Sequence, residues 1–199
     1  MLHYAELGTL VILIICSIFM LGVIIERFIS WGKIKALGIA FRRGLKPLLE
    51  AGDEKAIQSA CGGSKAPLAA VLMSTFEVQT ELRPEQTQLL LRHALDGASA
   101  KLRSFLSVLA TLAGTAPFIG LFGTVLGIMH TFQSIAEKGF GNPAHLSAGI
   151  SQALIATAAG LAVAIPSVIF YNVFTKKANQ TIREVDAEAT QILIMLGRI

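Results

Sequence analysis

The sequence predicts an all-α membrane protein with three transmembrane helices that extend into a cytoplasmic helical bundle. The chain of 199 residues is 53% hydrophobic and only 15% charged, whereas about 25% of the residues of a soluble domain are charged. Three apolar stretches contain no Asp, Glu, Lys or Arg, and each is about as long as, or longer than, the roughly 20 residues that a helix needs to cross a bilayer. The basic residues are also distributed very unevenly around these stretches.

The three predicted spans cover residues 7–25, 105–129 and 146–174. A chain this short cannot enclose three apolar helices of this length in a soluble core, so we expect them to lie in a membrane. The first stretch has no basic residue before it and no small-residue cleavage motif after it, both of which a secretory signal peptide requires. We therefore expect an uncleaved anchor.

The lysines and arginines predict the orientation of the spans. Residues 26–104 carry 12 of the 17 basic residues, the segment after residue 174 carries four, and the link between the second and third spans carries only Lys138. Cytoplasmic loops are enriched in Lys and Arg, so the C-terminus should lie in the cytoplasm and the N-terminus outside. The expected segments are an outer N-terminus (1–6), a cytoplasmic helical loop (26–104), an outer link (130–145) and a cytoplasmic helical tail (175–199).

Local signals divide the cytoplasmic loop into helices. Asp53 is a suitable N-cap, Gly62-Gly63-Ser64 is a break, and Pro84 suits the first position of a new helix. No proline follows until Pro117, so this helix is expected to run without a break into the second span. The third span should likewise continue as a cytoplasmic helix. These segments form either a solvated bundle or a docking surface for a cytoplasmic partner.

Small residues recur at helical spacing in the second and third spans. Such faces allow helix backbones to approach closely in lipid, so the two spans are predicted to pack tightly against each other or between subunits. The residues assigned to helix packing are Gly120, Gly123, Gly127, Gly149, Gly160, Pro117 and Pro166.

Polar side chains interrupt the same two spans, namely Thr124, Ser151, Gln152 and Thr157. A buried threonine can simply bond a carbonyl of its own helix. The Gln152 amide has two donor hydrogens and one acceptor oxygen, for which lipid offers no partner. We therefore predict a polar interior lined by Thr124, Thr157 and Gln152, with helix association as the alternative role.

Several function classes are disfavoured by the sequence. Cys16 and Cys61 fit neither a disulfide framework nor a zinc site, and the chain has no P-loop, nucleophile elbow or metalloprotease motif. We expect no enzyme activity, cofactor, metal or nucleic-acid partner. A proton path through a membrane usually needs a titratable group near its middle. Since the spans supply no charged residue, any such group must come from another chain.

Three runs of residues resemble the MotA/TolQ/ExbB proton-channel family. They are GLFGTVLGIMHTF from Gly120, GISQALIATAAGL from Gly149, and AIPSVIFYN from Ala164. Glu26-Arg27, followed by Trp31, is similar to the end of the first span in this family. Three spans in 199 residues resemble the ExbB/TolQ branch, because MotA-type stators are longer and have four spans.

The resemblance implies a homopentamer in the bacterial inner membrane with a periplasmic N-terminus. This homopentamer surrounds a dimer of a single-span partner, ExbD or TolR, whose aspartate takes up and releases protons. Proton flow then drives a motor that acts on TonB or TolA. By motif position, Thr124 and Thr157 match the family threonines that face this aspartate. The implied function is an ExbB-like subunit that energises TonB-dependent transport. The alternatives are a TolQ-like subunit for envelope integrity and a passive scaffold.

One position departs from the family pattern. Gln152 stands where many ExbB and TolQ proteins carry a glutamate within the third span. Because an amide cannot change its charge, the resemblance does not supply an ionisable carboxyl group at this position. Either hydrogen bonding suffices there, or this chain differs in its ion or its energetics.

Overall fold

The computed structural model describes residues 2–76, 83–138 and 143–199, and this part of the chain consists of six α-helices without a strand. The helices are α1 (Leu2–Ala51), α2 (Glu54–Gly62), α3 (Pro67–Phe76), α4 (Pro84–Leu102), α5 (Leu106–Lys138) and α6 (Pro143–Met195). The predicted all-α class is therefore confirmed. Three helices contain a stretch long and apolar enough to cross a membrane, namely α1, α5 and α6.

The chain divides into two compact units, and both α1 and α6 contribute to each of them. The first unit contains Met1–Ile25 and Phe105–Val173, and the second contains Glu26–Ser104 and Phe174–Ile199. All three predicted spans fall almost entirely within the first unit. Its buried positions are largely small residues, whereas large apolar side chains such as Ile18, Phe19 and Phe118 are exposed. This is the reverse of a soluble domain and suits a lipid environment.

The second unit has a compact apolar core around α3. Six of the ten residues of α3 are buried, and they contact buried side chains from α1, α2, α4 and the end of α6. Leu72 and Ile57 are fully buried at its centre. This unit therefore has apolar side chains in its interior, as an ordinary soluble helical bundle does.

The local signals in the loop mark helix ends correctly. Gly52 adopts a left-handed conformation with φ 67° directly after α1, and Asp53 then caps α2 by accepting a hydrogen bond from the Ala56 amide at 3.1 Å. The predicted break at Gly62 and the restart at Pro84 are also confirmed. The continuous helix predicted beyond the third span is α6, which extends to Met195.

The predicted uninterrupted helix from Pro84 into the second span is wrong. Helix α4 ends at Leu102, and α5 begins at Leu106 after a three-residue turn. Phe105 adopts φ 61° in this turn, a conformation that costs a non-glycine residue about 1–2 kcal/mol. The Arg103 amide donates to the Ser99 carbonyl at 2.9 Å and closes the last turn of α4.

Helices α5 and α6 extend into the predicted outer link, whose place outside the membrane stays a prediction. Helix α5 continues to Lys138 and α6 begins at Pro143, so much of the expected segment 130–145 is helical. Residues 139–142, like Met1 and residues 77–82, lie outside the part of the chain that the structure describes.

Candidate functional site

Two glycines bring the backbones of α5 and α6 into direct contact. A Cβ atom added to Gly120 would lie 2.7 Å from the Ala156 carbonyl oxygen and 3.1 Å from the Gly160 Cα. A Cβ added to Gly160 would lie 2.6 Å from the Ala116 carbonyl oxygen. Because these neighbours are backbone atoms, no side-chain rotation can make room for a larger residue.

Other predicted packing residues meet side chains instead. A Cβ at Gly123 would lie 2.7 Å from Thr9 Oγ1 of α1, and one at Gly149 would lie 2.8 Å from Thr131 Cγ2. Gly127 is buried, and its carbonyl oxygen accepts a hydrogen bond from the Thr131 hydroxyl group at 2.8 Å. The two prolines assigned to this surface, Pro117 and Pro166, lie inside α5 and α6 and are half-buried.

Thr124 and Thr157 lie together at the close contact between α5 and α6. Their hydroxyl groups are hydrogen-bonded to each other. Thr124 is also 3.2 Å from the carbonyl oxygens of Gly120 and Ala153, and Thr157 is 3.4 Å from the Gly120 carbonyl oxygen. The close approach at Gly120 therefore brings these two hydroxyl groups and their backbone acceptors into one polar cluster.

The two threonines differ in accessibility. Thr124 is only 8% exposed, whereas Thr157 is half-buried. A hydroxyl group has one hydrogen to donate and two acceptor lone pairs. If Thr124 donates to Thr157, the Thr157 hydrogen can bond either the Gly120 carbonyl oxygen at 3.4 Å or a group on another chain. The pair can thus give a hydrogen bond to an external carboxylate without either residue ionising.

Gln152 and Ser151 do not join this cluster. Both residues are exposed on α6. At about 100° per residue, Gln152 lies about 140° around the helix from Thr157, and Ser151 lies about 120° away in the other direction. Within one copy of the chain, the interior predicted from Thr124, Thr157 and Gln152 therefore separates into a threonine pair and a distant amide.

Thr9 and Arg27 are buried polar residues for which the sequence predicted no role. Thr9 is 4% exposed and is the α1 residue that meets Gly123; a threonine in an otherwise apolar span was the available signal. Arg27 is also 4% exposed. Its guanidinium group forms a bidentate contact with Glu26 and donates to the Leu102 carbonyl at 3.4 Å. Arg27 thus connects α1 to the C-terminal turn of α4.

The described residues contain no group of three or more His, Cys, Asp or Glu side chains that could hold a metal ion. Cys61 is buried in the core of the second unit, and burial raises the pKa of its thiol to about 11. This protonated, inaccessible thiol is suited to packing and not to nucleophilic chemistry.

Comparison with known proteins relates the chain to one family. The model of the MotA/TolQ/ExbB proton channel family matches residues 63–187. The biopolymer transport protein ExbB of Salmonella typhimurium is 30% identical over 93% of this chain and 83% of its own length. The Pseudomonas putida protein of the same name is 40% identical over 57% of this chain, but the match spans only 35% of that relative. The Tol-Pal system protein TolQ of Pseudomonas aeruginosa is 41% identical over 54% of this chain and 47% of its own length.

Proposed function

This chain belongs to the MotA/TolQ/ExbB proton channel family, and we propose that it is an ExbB-like subunit of a proton-driven motor in the bacterial inner membrane. The motor couples the proton-motive force to TonB-dependent transport across the outer membrane. The observation that carries this proposal is the hydroxyl pair of Thr124 and Thr157 at the contact between two spans that contain no charged residue.

The proposed topology has a periplasmic N-terminus and a cytoplasmic C-terminus. It rests on the placement of 16 of the 17 basic residues on one side of the three spans, because basic residues are retained on the cytoplasmic side. The second unit, which contains those 16 residues, would then lie in the cytoplasm.

In the proposed mechanism, the protonated group belongs to a partner. A homopentamer of this chain surrounds an ExbD-like dimer, and the single span of each partner carries an aspartate. Thr157 donates a hydrogen bond to the ionised aspartate, and the Thr124 hydroxyl donates a hydrogen bond to Thr157. Losing that hydrogen bond on protonation would weaken the contact, so proton transfer could change which copy of the chain the aspartate faces.

Of the two alternative functions, one uses the same chemistry and the other does not need it. A TolQ-like subunit would use the same threonines for envelope integrity and is favoured by the similarity to the Pseudomonas aeruginosa protein. Co-purification with a TonB-like or a TolA-like protein would distinguish the two roles. A passive scaffold would need the small-residue contacts but not the hydroxyl groups. None of these roles is enzymatic.

The test is proton flux into liposomes containing the chain and its partner, in sodium-free buffer. Thr157→Val removes the accessible hydroxyl while keeping the side-chain shape, and Thr124 retains the Gly120 and Ala153 carbonyls as acceptors. Thr115→Val is the matched control, because among the residues that the structure describes the exposed Thr115 hydroxyl bonds only the Thr111 carbonyl of its own helix, at 2.8 Å. We expect Thr157→Val to abolish most of the flux and Thr115→Val to preserve it.

Three results would count against the proposal. Equal flux in the two variants would remove the role of the threonine pair. Flux through the chain without its partner would contradict an acid located on the partner. A loss of flux that accompanies a loss of assembly would assign Thr157 a structural role, which size-exclusion chromatography of the same samples would detect.

A further inference from the structure

One face of α1 is buried within the first unit, and it carries a polar residue. The residues of this face are each less than a tenth exposed and recur at helical spacing, namely Thr9, Leu13, Met20 and Ile24. Thr9 is 4% exposed, and the other three side chains are apolar. The mechanism proposed above gives Thr9 no part.

Thr9 lies where the first span meets the other two. A Cβ atom added to Gly123 would lie 2.7 Å from Thr9 Oγ1, 3.4 Å from Thr9 Cβ and 2.8 Å from Ala156 Cβ. Thr9 of α1 and Ala156 of α6 therefore fill the space beside Gly123 of α5. The three helices can meet at this point because glycine has no side chain to separate them.

This three-helix contact adjoins the hydroxyl pair. Gly123 directly precedes Thr124, and Ala156 directly precedes Thr157. Consecutive Cα atoms are only about 3.8 Å apart, so a displacement of either helix at the contact also moves its threonine. The two hydroxyl groups are hydrogen-bonded to each other, and such a bond does not survive a displacement of about 1 Å. The spacing of α5 and α6 at this contact therefore determines whether the pair forms.

The Thr9 side chain is suited to fix this spacing. Its branched Cβ restricts rotation about χ1 in a helix, so the side chain occupies a defined volume against Gly123. Alanine would lack Oγ1 and Cγ2 and would leave space beside Gly123 into which the helices can move. Serine would keep Oγ1, the Thr9 atom that lies nearest to the added Cβ.

We propose that Thr9 is a positioning residue for the pair of Thr124 and Thr157. By filling the space beside Gly123, it fixes the separation of α5 and α6 one residue before each threonine. The first span then takes part in forming the site and is not only a membrane anchor. This inference rests on the proposed function where it concerns proton flux, whereas the coupling between Thr9 and the pair can be measured without flux.

The first experiment is a double-mutant cycle of Thr9→Ala with Thr157→Val, measured by reversible unfolding in mixed micelles with SDS. Independent sites have additive effects, whereas coupled residues do not. The unfolding equilibrium constant of the double variant should differ at least about threefold from the value expected from the single variants. Ser17→Ala is the matched control, because Ser17 is a half-buried hydroxyl residue of the same span, about 12 Å further along α1. Its cycle with Thr157→Val should be additive, and an additive cycle for Thr9→Ala would overturn the inference.

The second experiment measures proton flux into liposomes that contain the chain and its partner, as a function of pH. Thr9→Ala should lower the flux about tenfold, because a misplacement of about 1 Å in a reacting group can lower a rate about a hundredfold. The pH of half-maximal flux should also rise, since an aspartate that loses hydrogen bonds to its ionised form is protonated more easily. Thr9→Ser should restore both quantities, and Ser17→Ala should change neither.

The two experiments separate this inference from the proposed function. A lower flux in Thr9→Ala with an unchanged pH of half-maximal flux would indicate a general loss of packing and overturn the inference. If wild type conducts and Thr157→Val does not, but Thr9→Ala behaves as wild type, the inference fails and the proposed function stands. If wild type does not conduct while the Thr9 cycle is non-additive, the proposed function fails and the positioning of the pair by Thr9 stands.

Discussion

The contact between Gly120 and Gly160 gives the sharpest test of how the spans pack. We predict that Gly120→Ala destabilises the chain, because the new Cβ would lie 2.7 Å from the Ala156 carbonyl oxygen and 3.1 Å from the Cα atoms of Thr157 and Gly160. All three neighbours are backbone atoms, so α6 itself must move. Overpacking of this kind costs about 1–3 kcal/mol.

Gly114→Ala is the matched control on the same helix. Gly114 is exposed, and a Cβ added there would have no neighbour within 4 Å. Alanine favours a helix over glycine by up to about 1 kcal/mol in water, so this variant should be neutral or slightly stabilised. The stability difference between the two variants should then be about 1–4 kcal/mol.

The assay is reversible unfolding in mixed micelles with increasing SDS, followed by circular dichroism. A displacement of α6 would also separate Thr157 from Thr124. Gly120→Ala should therefore lower proton flux even under conditions in which all of the protein is folded. If Gly120→Ala and Gly114→Ala unfold at the same SDS fraction and conduct equally, the close approach of α5 and α6 is not needed.

The remaining predictions concern the second unit. Arg27→Met should lower the free energy of unfolding by about 1–3 kcal/mol, because it leaves the Leu102 carbonyl and the Glu26 carboxylate without their donor. Arg27→Lys should recover only part of the loss, since an ammonium group cannot make the bidentate contact; equal stability of both variants in urea would contradict this assignment. In a Cys16→Ser background, Cys61 should resist maleimide at pH 8 until the unit unfolds, because it is 2% exposed and burial raises its pKa to about 11. The stability that the protonated thiol contributes should be complete below pH 9.0, the ordinary pKa of a thiol, and be lost as the pH rises through about 11. Rapid labelling of the folded chain at pH 8 would refute the burial argument.

The helix ends that the sequence predicted are those with a local chemical cause. Asp53 caps α2 through its own side chain, and Pro84 can begin a helix because it needs no hydrogen bond for its nitrogen. The turn before α5 has no such signal, because Phe105 is neither glycine nor asparagine and yet adopts φ 61°. Arg27 of α1 donates to the Leu102 carbonyl directly before this turn, and such a contact with a distant residue cannot be derived from local sequence.

The candidate site likewise has features that the sequence could predict and features that it could not. That Thr124 and Thr157 belong to spans with small-residue faces could be predicted, because the spacing of small residues defines one side of each helix. That the two hydroxyl groups meet depends on the relative position of α5 and α6 along their axes, which the Gly120–Gly160 contact fixes. Within one copy, Gln152 lies about 140° around α6 from Thr157, and its place in one interior with the threonines stays a prediction.

We propose that the Gln152 amide has a different role from that of the threonines. An exposed amide within a membrane span needs hydrogen-bonding partners that lipid does not offer, so we expect its partners on another copy, on another chain or in water. Because an amide stays neutral at every physiological pH, hydrogen bonds between Gln152 and groups other than the partner aspartate would not change when the aspartate is protonated. A neutral wall of this kind can hold the assembly together throughout a proton-transfer cycle. In the proposed mechanism, the pH dependence of the cycle would then arise from the partner's carboxyl group, and the hydrogen bond that Thr157 donates would change when this group is protonated.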